Sequence, residues 1–161
     1  MTEEQKELRK DLCQRLDKGI CFATDSGRIK KLHHEGFFFF FKKSVQGGMR
    51  THRHPLSWTQ VNQGVMKPIL RSLDDVTNLI TQDGKTFVPI DVLTNEVGHS
   101  VDYNGGNWRE AREDGEMHYT EFKWLPVCVV NWLIEHHFDI NGLIKKGRAI
   151  NVNDLKEDCY A

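Results

Sequence analysis

Close-set cysteine pairs are missing from this sequence: Cys13, Cys21, Cys128 and Cys159 stand far apart, with no C-x-x-C between them. A zinc ribbon needs ligand pairs a few residues apart, so that reading is weak. The scattered cysteines read as reduced thiols, and Cys128 as a buried small hydrophobe. Long apolar runs are missing too. None approaches the roughly 20 residues that span a bilayer, and the opening MTEEQKELRKDL is charged where a signal peptide is apolar. The expectation is a soluble cytosolic protein with no membrane partner. Neither sign of charge is in excess: 22 Lys and Arg face 23 Asp and Glu. That balance argues against a generic polyanion binder and equally against an acidic mimic of nucleic acid. Finally, there is no G-x-S-x-G, no P-loop and no G-x-G-x-x-G, so no catalytic residue and no cofactor is assigned.

What is present suits one domain over residues 1–161, a length that buries a real core. Its best-marked stretch is Trp124–Ile150. Pro126 fits a first helical position. Val127, Val130, Ile134 and Phe138, widened by Leu133, make a core-facing stripe at helical spacing. Asp139 can cap a second short helix carrying Leu143 and Ile144, which Gly147 would stop. A helical hairpin with its corner at Phe138–Asp139 is expected.

Upstream, residues 3–17 read as a helix with Leu8, Leu12 and Leu16 on one face and Gly19 as its stop. Ile20–Thr24 and Arg28–His33 read as strands around an Asp25-Ser26-Gly27 turn. Phe37–Phe41 is an unbroken aromatic run, best placed in a strand with rings buried on both faces of a sheet. Gly47-Gly48 opens a loop. Ser57 and Ser72 are cap candidates, Lys67–Arg71 is extended and Asp83-Gly84 is a hairpin turn. Asp91–Val97 is a short helix. Residues 98–116 are expected to be a loop-rich insertion, Met117–Trp124 a strand, and the tail after 150 loosely ordered. The fold class is therefore α+β, a small antiparallel sheet including Phe37–Phe41 packed by an N-terminal helix and the C-terminal helical hairpin.

Histidine is the one abundant residue of catalytic type. His52 and His54 would share a face of an extended segment and could chelate a metal, with a third ligand supplied only through the fold. Lys30, Lys31, Lys42, Lys43, Arg50 and Arg53 lie beside aromatic residues, a composition suited to nucleic acid. His136 and His137 lie about 100° apart on a helix and cannot easily share one ligand.

Three segments together resemble a family. They are Asp11-Leu12-Cys13 with Arg15-Leu16, then Lys67–Leu73, and above all His136-His137-Phe138-Asp139 leading to Gly142–Ile150. The pattern is similar to small prophage and mobile-element proteins of gut Bacteroidales, which pair an N-terminal DLC-x-RL helix with a C-terminal HHFD…GLI-x-KG segment. Ser72 and Ile140-Asn141 depart from it. The resemblance implies origin in a bacterial host cell and transfers no catalytic residue; His136, His137, Phe138, Asp139, Gly142 and Gly147 read as fold maintenance. The leading expectation is a non-enzymatic accessory protein that binds a host or phage protein. The alternatives are a nucleic-acid-associated protein and a metal-dependent hydrolase or nuclease built on the histidines.

Overall fold

The computed structural model describes residues 1–35, 38–43 and 52–161. Phe37, Arg50 and the Gly47-Gly48 loop lie outside the described residues, as do the side chains of Lys43 and His52. The fold is α+β. Helix α1 (Glu3–Cys13) opens on a capping box in which Thr2 and Gln5 each accept the other's backbone N–H. It is followed by a single 3-10 turn, Leu16–Lys18, that stops at Gly19 with φ 71°. Strands β1 (Cys21–Thr24), β2 (Ile29–Glu35), β3 (Phe38–Lys43) and β4 (His52–Pro55) come next. Ser57 caps α2 (Trp58–Asn62), β5 (Met66–Leu70) follows, and Ser72 caps a 3-10 turn over Leu73–Thr77.

Beyond it, β6 (Ile80–Gln82) and β7 (Lys85–Phe87) flank Asp83 and Gly84, whose φ values of 49° and 75° are those of a tight hairpin turn. Helix α3 (Pro89–Val97) carries proline at its start, where no N–H is missed. Strands β8 (Val101–Asn104), β9 (Asn107–Ala111) and β10 (Met117–Thr120) precede a 3-10 turn over Phe122–Trp124. Helix α4 (Val127–Glu135), strand β11 (Ile150–Asn151) and a 3-10 turn over Val152–Asp154 complete the described elements. No described helix is long and apolar enough to cross a membrane.

The sequence reads as one domain, and the described residues group into two compact units, 1–70 with 141–159 and 71–140 with 160–161. The first holds a six-stranded sheet in the order β11-β5-β1-β2-β3-β4, antiparallel except for the β11–β5 pair. Its core joins Leu8 and Leu12 of α1 to Phe22, Leu32, Phe41, Leu70 and Leu143. The aromatic run lies inside this sheet. Phe41 turns into the core, while Phe40, also buried, lies on the other face beneath His33 and Arg53. Alternation along one strand puts neighbouring rings on opposite faces.

One polar contact lies beneath α1. Asp11 and Arg15, one helical turn apart, form an ion pair at 2.8 Å with both side chains fully buried, and a second bond at 3.1 Å makes it bidentate. Asn141 donates to the same carboxylate at 2.8 Å. At the rim, Glu7 pairs with Lys146 at 2.7 Å and Glu4 with Arg148 at 2.6 Å. The N-terminal helix is thus tied to the segment that follows the HHFD motif.

The second unit packs α3, α4 and the β8–β9–β10 sheet around Leu93, Tyr103, Trp108, Val129, Leu133 and Phe138. Several expectations are corrected here. Residues 98–116 hold β8 and β9 instead of a loop, because Asn104–Asn107 makes a hairpin turn between them and buries Tyr103 against Trp108. The strand expected over Met117–Trp124 ends at Thr120. In α4 the buried face is Val129, Trp132, Leu133 and Ile134, while Val127 is 73% exposed and Cys128 is exposed. Pro126 acts as the N-cap, with ψ 141°, so the helix starts one residue later than expected.

The second arm of the helical hairpin is a run of turns closed by Lys146 N–H on Gly142 C=O and Arg148 N–H on Leu143 C=O. The corner is at His137, which takes φ 63°, one residue before Phe138. The tail after 150 is anchored as well: Val152 and Tyr160 are 3% exposed.

Leaving one member of a buried ion pair without its partner costs about 3–5 kcal/mol. Arg15→Met should therefore lower the urea unfolding free energy by about that amount, and Asp11→Leu with Arg15→Met should recover part of it. A double-variant loss equal to the sum of the Asp11→Leu and Arg15→Met losses measured singly would show that the pair is not coupled.

Candidate functional site

Each sequence-predicted residue has a defined place or lies outside the description. His54 is exposed on β4, and among the described residues no group of three metal-ligating side chains includes it. Such a group does occur elsewhere. Asp114, Glu116 and His118 offer ligand atoms within 4.8 Å of one another on the turn into β10. The D-x-E-x-H spacing, which alternation along a strand puts on one side, is the signal that sequence reading passed over. Hydrogen bonds of the hairpin itself account for the arrangement: Asp114 accepts the Glu116 N–H at 2.9 Å and meets the His118 ring at 2.7 Å.

The basic residues divide between two faces of the larger sheet. Lys30 lies over the Phe41 ring on the core side. Lys31 pairs in register with Cys21, one position out of phase, and Lys42 pairs with Arg53 opposite. The second face therefore carries Lys31, Lys42 and Arg53 around His33. Two features work against nucleic acid there. Arg53 is held bidentately by Glu35 at 2.6 and 2.9 Å, and Phe40 is too deeply covered to stack a base.

The HHFD residues organise a bridge. Arg71 pairs with Phe138 in parallel, its N–H donating to His137 C=O at 2.9 Å while Asp139 N–H donates to Arg71 C=O at 2.8 Å. Phe138 is fully buried, and the His137 ring stacks on Tyr160 at 4.2 Å. Gly142 and Gly147 take left-handed φ of 66° and 68° at the turns that follow. Of the four, His136 lines a cleft. This cleft of about 430 Å³ lies between the β6–β7 hairpin, α3 and the end of α4. A second cavity of similar volume holds Lys67, Lys146 and Arg148, with the last two already paired to Glu7 and Glu4.

The most exposed apolar surface lies on β10 and just after it. Met117 is 38% exposed, Tyr119 75%, Trp124 69% and Val127 73%. In the three-stranded sheet the register pairs Tyr119 with Arg109 and Asp102 with Arg109. Met117 and Tyr119 therefore share the outward face with an Asp102–Arg109 ion pair, opposite the face that carries Tyr103 and Trp108. Among the described residues strand β10 pairs only with β9 and is an edge. Compared with known proteins, the chain matches no family model, no curated protein and no solved structure.

On the basic face, the His33 imidazole is held below its ordinary pKa by burial first, then by the Lys42 and Lys31 ammonium groups. Protonation is then harder in the folded than in the unfolded chain. The stability this leaves in place above the ordinary histidine pKa is lost as pH falls through that value toward the folded one. An NMR titration should place His33 below a model histidine, and Lys42→Gln should move it upward; an unmoved pKa would separate the two groups.

Proposed function

We propose that this chain is a non-enzymatic protein-binding protein whose contact surface is the β10 edge with Tyr119 and Trp124. The observation that carries the reading is the exposure of four large apolar side chains between Met117 and Val127 beside an open strand edge. Large exposed apolar patches mark interaction sites, and tyrosine and tryptophan are the side chains most often found at the energetic centre of an interface. An edge strand also offers unpaired N–H and C=O groups to an extended partner segment. The three-segment resemblance supports a mobile-element origin in a bacterial host cell, with a host or phage protein as the partner.

The test compares tagged wild-type protein with Tyr119→Ala/Trp124→Ala, both side chains being exposed. A partner captured from bacterial lysate by the wild type should be lost by the double variant, by about tenfold or more for hot-spot residues. Equal recovery by both proteins, at unchanged thermal stability, would remove this surface from the reading.

A further inference from the structure

The cleft at His136 is built from acceptors. Gln82, Lys85 and Phe87 share one face of the β6–β7 hairpin, because the register sets Gln82 opposite Lys85 and Ile80 opposite Phe87. Val92 and Glu96, one turn apart on α3, form the facing wall, and His136 at the end of α4 closes it. The imidazole is fixed on three sides. It stacks on the Trp132 indole at 3.7 Å, receives the edge of Phe87 at 6.2 Å and contacts the Trp132 carbonyl through Nδ1 at 3.0 Å. A carbonyl only accepts, so Nδ1 carries the proton and Nε2 of the neutral ring is left as an acceptor.

The other polar groups point the same way. Glu96 Oε2 accepts from the Trp132 indole N–H at 2.7 Å, which fixes the carboxylate and leaves its second oxygen with accepting capacity. Against these stands Lys85, an exposed side chain. An anion would meet the Glu96 carboxylate here. A metal ion would need three converging ligands, and among the described residues the cleft has no such group.

The geometry points to a binding site for an organic cation bearing N–H donors, a primary ammonium or guanidinium group. Its charge and N–H groups meet the Glu96 carboxylate, a further N–H supplies His136 Nε2, and its alkyl chain lies along Phe87 and Val92. A quaternary ammonium has no N–H to give Glu96 or His136 Nε2 and is disfavoured for that reason. A volume of about 430 Å³ suits a small molecule or a single long side chain. The site does not depend on the β10 surface, so its failure would leave that reading untouched.

Isothermal titration of the whole protein with agmatine tests it, in phosphate buffer because Tris is itself an amine. Wild type should show one saturable site, and tetramethylammonium should bind at least about tenfold more weakly. Glu96→Gln keeps an acceptor for the Trp132 indole and should weaken agmatine about tenfold. Lys85→Gln removes the competing cation and should tighten it by about threefold, the scale of an exposed charge. No saturable heat with wild type overturns the proposal, as does equal affinity in a folded Glu96→Gln variant. A capped Ala-Arg-Ala peptide separates the sources. Tighter binding of the peptide assigns the site to a partner's arginine, and tighter binding of agmatine to a free amine.

Discussion

The buried Asp11–Arg15 pair is the constraint on which the larger sheet's packing depends. Two charges taken out of water, one on the last turn of α1 and one just beyond its end, tolerate only an arrangement that satisfies them, and Asn141 completes it. A helix anchored by this pair cannot roll or slide on the sheet without exposing an unmatched charge to the core. Leu8 and Leu12 would accept many apolar surfaces; the carboxylate and guanidinium accept one. Specificity here comes from the polar atoms, and cohesion from the leucines around them.

The segments that carry the resemblance are far apart in sequence and close in the fold. Leu12 and Leu16 share one core cluster with Leu143. The extended segment Lys67–Leu73 supplies Ile69 and Leu70, which pair with Ile150 and Asn151, and Arg71, which bridges Phe138. Each segment is a partner of another, and none of these contacts needs a substrate. The four HHFD residues divide in the same way. His137, Phe138 and Asp139 are buried in the bridge, and His136 faces open space.

Signals confined to a few neighbouring residues are legible in the sequence. Ser57 and Ser72 as caps, Asp83-Gly84 as a hairpin turn, Gly19 as a stop and the phenylalanine run as an interior strand all follow from local chemistry, and the α+β class follows from their succession. Partners at long range are not legible. Residues 98–116 read as loop because glycines and asparagines dominate, and only the packing of Tyr103 and Trp108 in the core shows them to be a hairpin. Val127 fits a helical stripe with Val130 and Ile134, yet the face that meets the core is centred on Val129, Trp132 and Leu133, which leaves Val127 outward. The acceptor cleft is harder still, since Gln82, Glu96 and His136 come from three elements with no common spacing.

The larger sheet is assembled from residues 1–70 and 141–159. During synthesis this makes timing matter. When Leu12, Phe22 and Phe41 have left the ribosome, Leu143 and Ala149, which complete their cluster, are still to be made. At about 5–20 residues per second the delay is on the order of ten seconds. Through that interval the phenylalanine strand is apolar, rich in β-propensity and unsealed, the condition in which nascent chains aggregate or are held by chaperones. The same long-range closure that gives the finished sheet its specificity makes its nascent form a client for assistance.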